Sequence, residues 1–112
     1  MNIEMLRDKG FELLAKYDAM KVPFSSAKAI FDDLKKRDEV ILGQITDGMP
    51  FKSEAERLRI AKCSEQYKAF LKELKAANQT YLELDHQKRG IEMMMDFLRS
   101  TLAVERELYS RN

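Results

Sequence analysis

Tryptophan is missing from the 112-residue chain, cysteine occurs once, proline twice and glycine four times. Each scarcity excludes something. A single cysteine, Cys63, rules out an intrachain disulfide and fits a reducing, cytoplasmic setting. The scarcity of glycine and proline removes the turn chemistry that many-stranded sheets need. No apolar run approaches the roughly 18 residues of a membrane-spanning helix. The start, Met1-Asn2-Ile3-Glu4, lacks the basic-then-apolar pattern of a secretory signal. Charge is balanced, 20 Lys and Arg against 19 Asp and Glu, so no global field favours nucleic acid, membrane or acidic partners.

With 45% hydrophobic residues the chain is too apolar to stay disordered. Leu, Lys, Glu, Ala, Met and Arg dominate, side chains that lose little freedom in a helix. The expected fold is all-α. It has two short N-terminal helices and one long C-terminal helix, or a long helical hairpin, with coiled-coil heptads, in a single domain over 1–112. Residues 1–50 form its helical N-terminal part and 51–112 its coiled-coil-like part.

Breakers cluster at Lys21-Val22-Pro23-Phe24-Ser25-Ser26 and at Thr46-Asp47-Gly48-Met49-Pro50. The first helix is expected from Ile3 to about Met20, with Ile3, Leu6, Leu13, Leu14, Tyr17 and Met20 on one face and Gly10 in that face as a weak or closely packed point. Pro23 should end it, and Ser25 or Ser26 should cap a second helix from Ala27 to about Ile45. Ala27, Ile30, Phe31, Leu34, Ile41 and Ile45 mark the buried side of that helix. Glu39-Val40-Ile41-Leu42 also suits a short strand, but a lone strand has no partner, which favours helix.

Ser53-Glu54-Ala55-Glu56 is a capping box opening the third segment. Stepping by three and four from Ile60 gives Ile60, Cys63, Tyr67, Phe70, Leu74, Ala77, Tyr81, Leu84, Lys88, Ile91, Met95, Leu98 and Leu102. All but Lys88 are apolar, a heptad seam kept over about six heptads. Leu71, Met94 and Leu108 widen it. An unbroken helix from Glu54 to Tyr109 would be about 80 Å long at 1.5 Å per residue. Two short helices cannot cover that length. Either the chain folds back near Ala76-Ala77-Asn78-Gln79-Thr80, or a second copy covers it, and the continuous reading predicts a homo-oligomer, most simply a dimer.

No catalytic constellation is present. His86, the only histidine, sits beside Asp85, and sequence neighbours on a helix point about 100° apart. One His and one Cys are too few for a metal site, and no glycine-rich phosphate loop exists. No cofactor is expected, and the chain reads as non-enzymatic. Cys63 and the run Met93-Met94-Met95 read as packing residues. Lys88 reads either as a charge that fixes register, neutralised by Asp85 or Glu92, or, with Gly90, as a local widening where the seam opens to solvent.

Residues 51–75 carry 7 Lys and Arg against 4 acids. Lys68, Lys72 and Lys75 share one helical face, with Lys62 nearby, and form the possible nucleic-acid contact. No aromatic is interleaved on that face to stack bases.

The stretches Tyr67-Lys68-Ala69-Phe70-Leu71, Tyr81-Leu82-Glu83-Leu84 and Asp96-Phe97-Leu98-Arg99-Ser100-Thr101-Leu102-Ala103 resemble small all-helical bacteriophage and prophage proteins of unknown function. The resemblance covers the C-terminal half. It implies a phage-type accessory role, and some such proteins are encoded beside recombination or replication genes. The expected function is therefore a helical interaction or assembly protein, with a nucleic-acid accessory protein as the alternative. Asp96, Arg99 and Ser100 are the polar positions of the resembling stretch.

Overall fold

Four helices account for nearly all of the chain in the computed structural model, which describes residues 2–49 and 52–111: α1 (Ile3–Lys36), α2 (Asp38–Thr46), α3 (Glu54–Lys62) and α4 (Glu65–Arg111). No strand occurs among the described residues, and Glu39–Leu42 is helical. The all-helical class and the long C-terminal helix follow the sequence reading; several boundaries do not. Pro50 lies outside the described residues.

Pro23 sits inside α1 and does not end it, and Ser25 and Ser26 are interior helix residues rather than caps. The reason is packing. Ile3, Leu6, Gly10, Leu13, Tyr17, Met20, Phe24, Ala27, Phe31 and Leu34 step by three and four through the proline without a phase slip, and all are buried or half-buried. Leu14 and Ile30, expected on buried faces, flank this seam and are exposed. Pro23 itself is exposed. Its missing N–H leaves the Ala19 carbonyl on the solvent side, where water can take its place. Buried apolar contacts on the opposite side of the helix offset the loss.

The first break falls instead at Arg37, where no breaker stands. The Arg37 N–H bonds the Leu34 carbonyl at 3.1 Å, and α2 starts at the next residue. The turn lets Leu42 enter a core with Leu34, Ala61, Tyr67 and Phe70. The expected 27–45 helix is thus divided between α1 and α2.

Ser53 caps α3 as the capping box requires, its Oγ accepting from the Glu56 N–H at 3.3 Å. That helix then stops at Lys62, so the long helix begins at Glu65 and not at Glu54. Ser64 makes the break: its Oγ donates to the Ala61 carbonyl at 2.6 Å and accepts from the Tyr67 N–H at 3.1 Å. One side chain thereby satisfies the end of one helix and the start of the next. Cys63, read as a seam residue, is exposed at this junction, because the helix carrying the seam has not yet started. Residues 76–80 do not break α4.

The chain divides into two compact units, Met1–Ser25 with Glu83–Asn112, and Ser26–Leu82. In the second unit, Ile41, Ile45, Leu58, Leu74 and Ala77 surround the buried cluster. Phe31 meets Tyr81 edge-on, ring centroids 5.9 Å apart. The Tyr67 hydroxyl donates to Asp38 Oδ1 at 2.7 Å, tying the start of α2 to the start of α4. This hydrogen bond first, then burial and the Asp38 charge, raise the Tyr67 phenol above its ordinary value of 10.0. The unfolded chain therefore releases that proton at lower pH than the folded chain. Stability from this group is whole below about pH 10 and is lost as pH rises through the folded-state value. Tyr67→Phe should cost about 1 kcal/mol at pH 7 and flatten the alkaline limb of a stability-versus-pH curve. An unchanged limb would reject the pairing.

In the first unit the two stretches run in opposite directions: Phe24 lies under Lys88, Tyr17 reaches Glu92, and Gly10 faces Leu98. Leu6, Leu13 and Leu98 form its core, joined by Met95 and Leu102. A Cβ on Gly10 would stand 3.2 Å from Leu98 Cδ2, so the glycine permits the close approach. The seam that seemed to need a second chain is covered within this chain. In each unit a stretch of α1 lies over it, because α1 is far longer than the two short helices expected.

Candidate interaction groove

The heptad positions of α4 are inward. Tyr67, Phe70 and Leu98 are buried, and Leu74, Tyr81, Leu84, Ile91, Met95 and Leu102 are half-buried, as is Ile60 on α3. They build the core, and Leu98 among them also borders a groove in the first unit.

Lys88, the one charge in the seam, is held by two contacts. Its Nζ lies 4.6 Å from the centroid of the Phe24 ring and 3.6 Å from Glu92 Oε1, and that carboxylate also accepts from the Tyr17 hydroxyl at 3.4 Å. Such a cluster favours one pairing of the two helices, since a shift would strand the charge against apolar side chains. Asp85 takes no part and pairs with Arg89 at 3.0 Å.

The basic positions are all exposed. Lys68 pairs with Glu65 at 3.8 Å. Lys62 ends α3, on a different helix from Lys68, Lys72 and Lys75, so the break at Ser64 separates it from the ridge. His86 is exposed, and among the described residues no group of three metal-ligating side chains converges. Among the described residues no helix is long and apolar enough to cross a membrane. Arg99 pairs with Asp96 at 3.6 Å and Ser100 donates to the Asp96 carbonyl at 3.1 Å, so these polar residues are occupied within their own helix.

The surface that stands out lies in the first unit, at methionines that the sequence alone presents as packing residues. Met93 and Met94 are 72% and 49% exposed, and Phe97 is 74% exposed. They border a groove of about 510 Å³ with Leu6, Leu13 and Leu98 at its walls and Lys9 and Thr101 as its polar members. Both polar members are spent internally. Lys9 lies 3.6 Å from Glu12, and the Thr101 hydroxyl donates to the Phe97 carbonyl at 3.0 Å. The groove thus presents mainly methyl, thioether and ring surface.

Its origin is a second stripe on α4. Gly90, Met94, Phe97, Thr101, Val104 and Leu108 step by four and three alongside the seam, and Val104 and Leu108 are also exposed. The stripe was present in the sequence. Its Gly and Thr hide it from a count of apolar residues, and Met94 and Leu108 alone look like a widened core face.

The chain matches no family model, no curated protein and no solved structure.

Proposed function

We infer that the chain is a non-enzymatic helical interaction module, and that its working surface is the groove between the N-terminal stretch of α1 and the C-terminal stretch of α4. One observation carries this reading: large apolar side chains stand exposed around a groove whose polar residues are already paired. Such a surface gains free energy only by covering apolar area, at about 25 cal/mol per Å². Its polar groups are few, the Lys9 ammonium and the Thr101 hydroxyl, and each already has a partner on its own helix. An amphipathic helix, with anchors at i, i+3, i+4 and i+7, suits a groove between two helices. Methionines on its edge adapt to the shape of the occupant. An accessory role of the kind suggested by the phage resemblance needs no more chemistry than this.

A fluorescent 18-residue helical peptide of leucine and lysine, with leucines on one face, tests the reading by anisotropy. The chain should bind it, and Phe97→Glu should weaken binding more than about tenfold, whereas Leu71→Glu, at an exposed apolar position of the other unit, should not. Equal losses in the two variants would reject the groove. Raising salt in the same titration addresses the nucleic-acid alternative. Replacing the peptide by single-stranded DNA should give no saturable binding at low salt, whereas tight, salt-steep binding lost in Lys68→Glu/Lys72→Glu would support that alternative.

A further inference from the structure

The stripe on α4 pairs larger residues with smaller ones when it is laid antiparallel against itself. Its steps, four-three-four-three-four from Gly90 to Leu108, read the same in both directions. Laid antiparallel against itself, it sets Gly90 opposite Leu108, Met94 opposite Val104 and Phe97 opposite Thr101. Every larger side chain faces a smaller one, which is how helix surfaces interlock. Gly90 fits this pairing. It lies inside α4, where glycine costs about 1 kcal/mol relative to alanine, yet a Cβ there would meet nothing within 4 Å in its own chain. The open surface over Gly90 would admit the Leu108 side chain of a second copy.

The area is also sufficient. Five side chains, Met93, Met94, Phe97, Val104 and Leu108, expose 49% to 74% of themselves. At about 200 Å² each they offer on the order of 600 Å² per copy, or roughly 1,200 Å² for a pair, where stable interfaces begin.

We propose that the groove's occupant is a second copy of this chain, docked antiparallel along Gly90, Met94, Phe97, Thr101, Val104 and Leu108 with the two-fold axis level with residue 99. The proposal rests on the groove reading above and names its partner. Phe97 of each copy enters the groove of the other beside Thr101, and a four-helix arrangement encloses both sets of apolar walls. This dimer does not use the heptad seam, which the chain's own helices cover.

Two experiments test it on the full chain. In sedimentation equilibrium, the parent should approach twice its 13.1 kDa mass at tens of micromolar. Gly90→Leu should raise the dimer dissociation constant at least about tenfold. The same variant should keep or raise the helical circular dichroism, because leucine is the better helix former and meets open space in the single chain. In a Cys63→Ser background, Met94→Cys mixed with Val104→Cys should form a disulfide-linked dimer on oxidation, more than about tenfold faster than either variant alone. A monomeric mass up to about 1 mM, unchanged association in Gly90→Leu, or equal cross-linking in the single and mixed samples would overturn the proposal. If the mass is monomeric while the peptide still binds in a Phe97-dependent way, the dimer fails and the groove reading stands.

Discussion

In urea unfolding at pH 7, Pro23→Ala is expected to be more stable than the parent by about 2 kcal/mol, with Tm higher by about 8 °C. Proline in a helix interior costs about 3 kcal/mol relative to alanine, through the lost hydrogen bond and the clash with the preceding turn. Part of that is returned by proline's restriction of the unfolded chain, about 0.4–1 kcal/mol. The N–H restored at position 23 would bond the Ala19 carbonyl, and no buried neighbour stands in the way, since Pro23 is exposed. The effect is large because α1 forms despite this residue, held by seam positions on both sides of it. A loss of stability on replacement would show that the backbone at residue 23 is not continuous helix, and the ten-residue seam of α1 would then have to be divided.

The second large effect separates seam from surface two residues apart. Leu13→Ala should lose about 3 kcal/mol, because Leu13 is 2% exposed and packs with Leu6 and Leu98. Phe11→Ala removes a larger side chain but should change stability by less than about 0.5 kcal/mol, because Phe11 is 70% exposed. Denaturant midpoints at constant m-value measure both. If Phe11 proves the costlier residue, α1 is rotated about its axis relative to the arrangement described. The outcome also bears on the groove, since Leu13 supplies part of its wall and Phe11 does not.

The α4 seam was readable because heptad spacing is a purely local property: Tyr67, Phe70, Leu74 and Leu98 announce their inward direction by position alone. The same rule applied to α1 would have carried the helix through Pro23, for Tyr17, Met20, Phe24 and Ala27 keep their phase across it. In a local reading proline weighs more than periodicity, and in the folded chain the packed side of the helix outweighs the proline. Ser64 followed by Glu65 was likewise a legible cap, masked by the stronger capping box at Ser53. The break at Arg37 had no local sign. Lys36, Arg37 and Asp38 are ordinary helix-surface residues, and the turn there depends on where Leu42 and Asp38 find partners.

What the amino-acid order determined by itself is the helical class and the spacing of the apolar seam along α4, because both follow from propensity and from spacing along one helix. It also contains the stripe from Gly90 to Leu108, whose spacing needs no coordinates to be seen. Tertiary structure alone decided which apolar stripe is covered. Two stripes of similar spacing lie side by side on α4, and only the path of α1 selects one as core and leaves the other in water. Burial depends on what lies across from a residue, and no local pattern encodes that. For this reason Met93, Met94 and Phe97, which are as apolar as any core residue, stand exposed rather than in the interior.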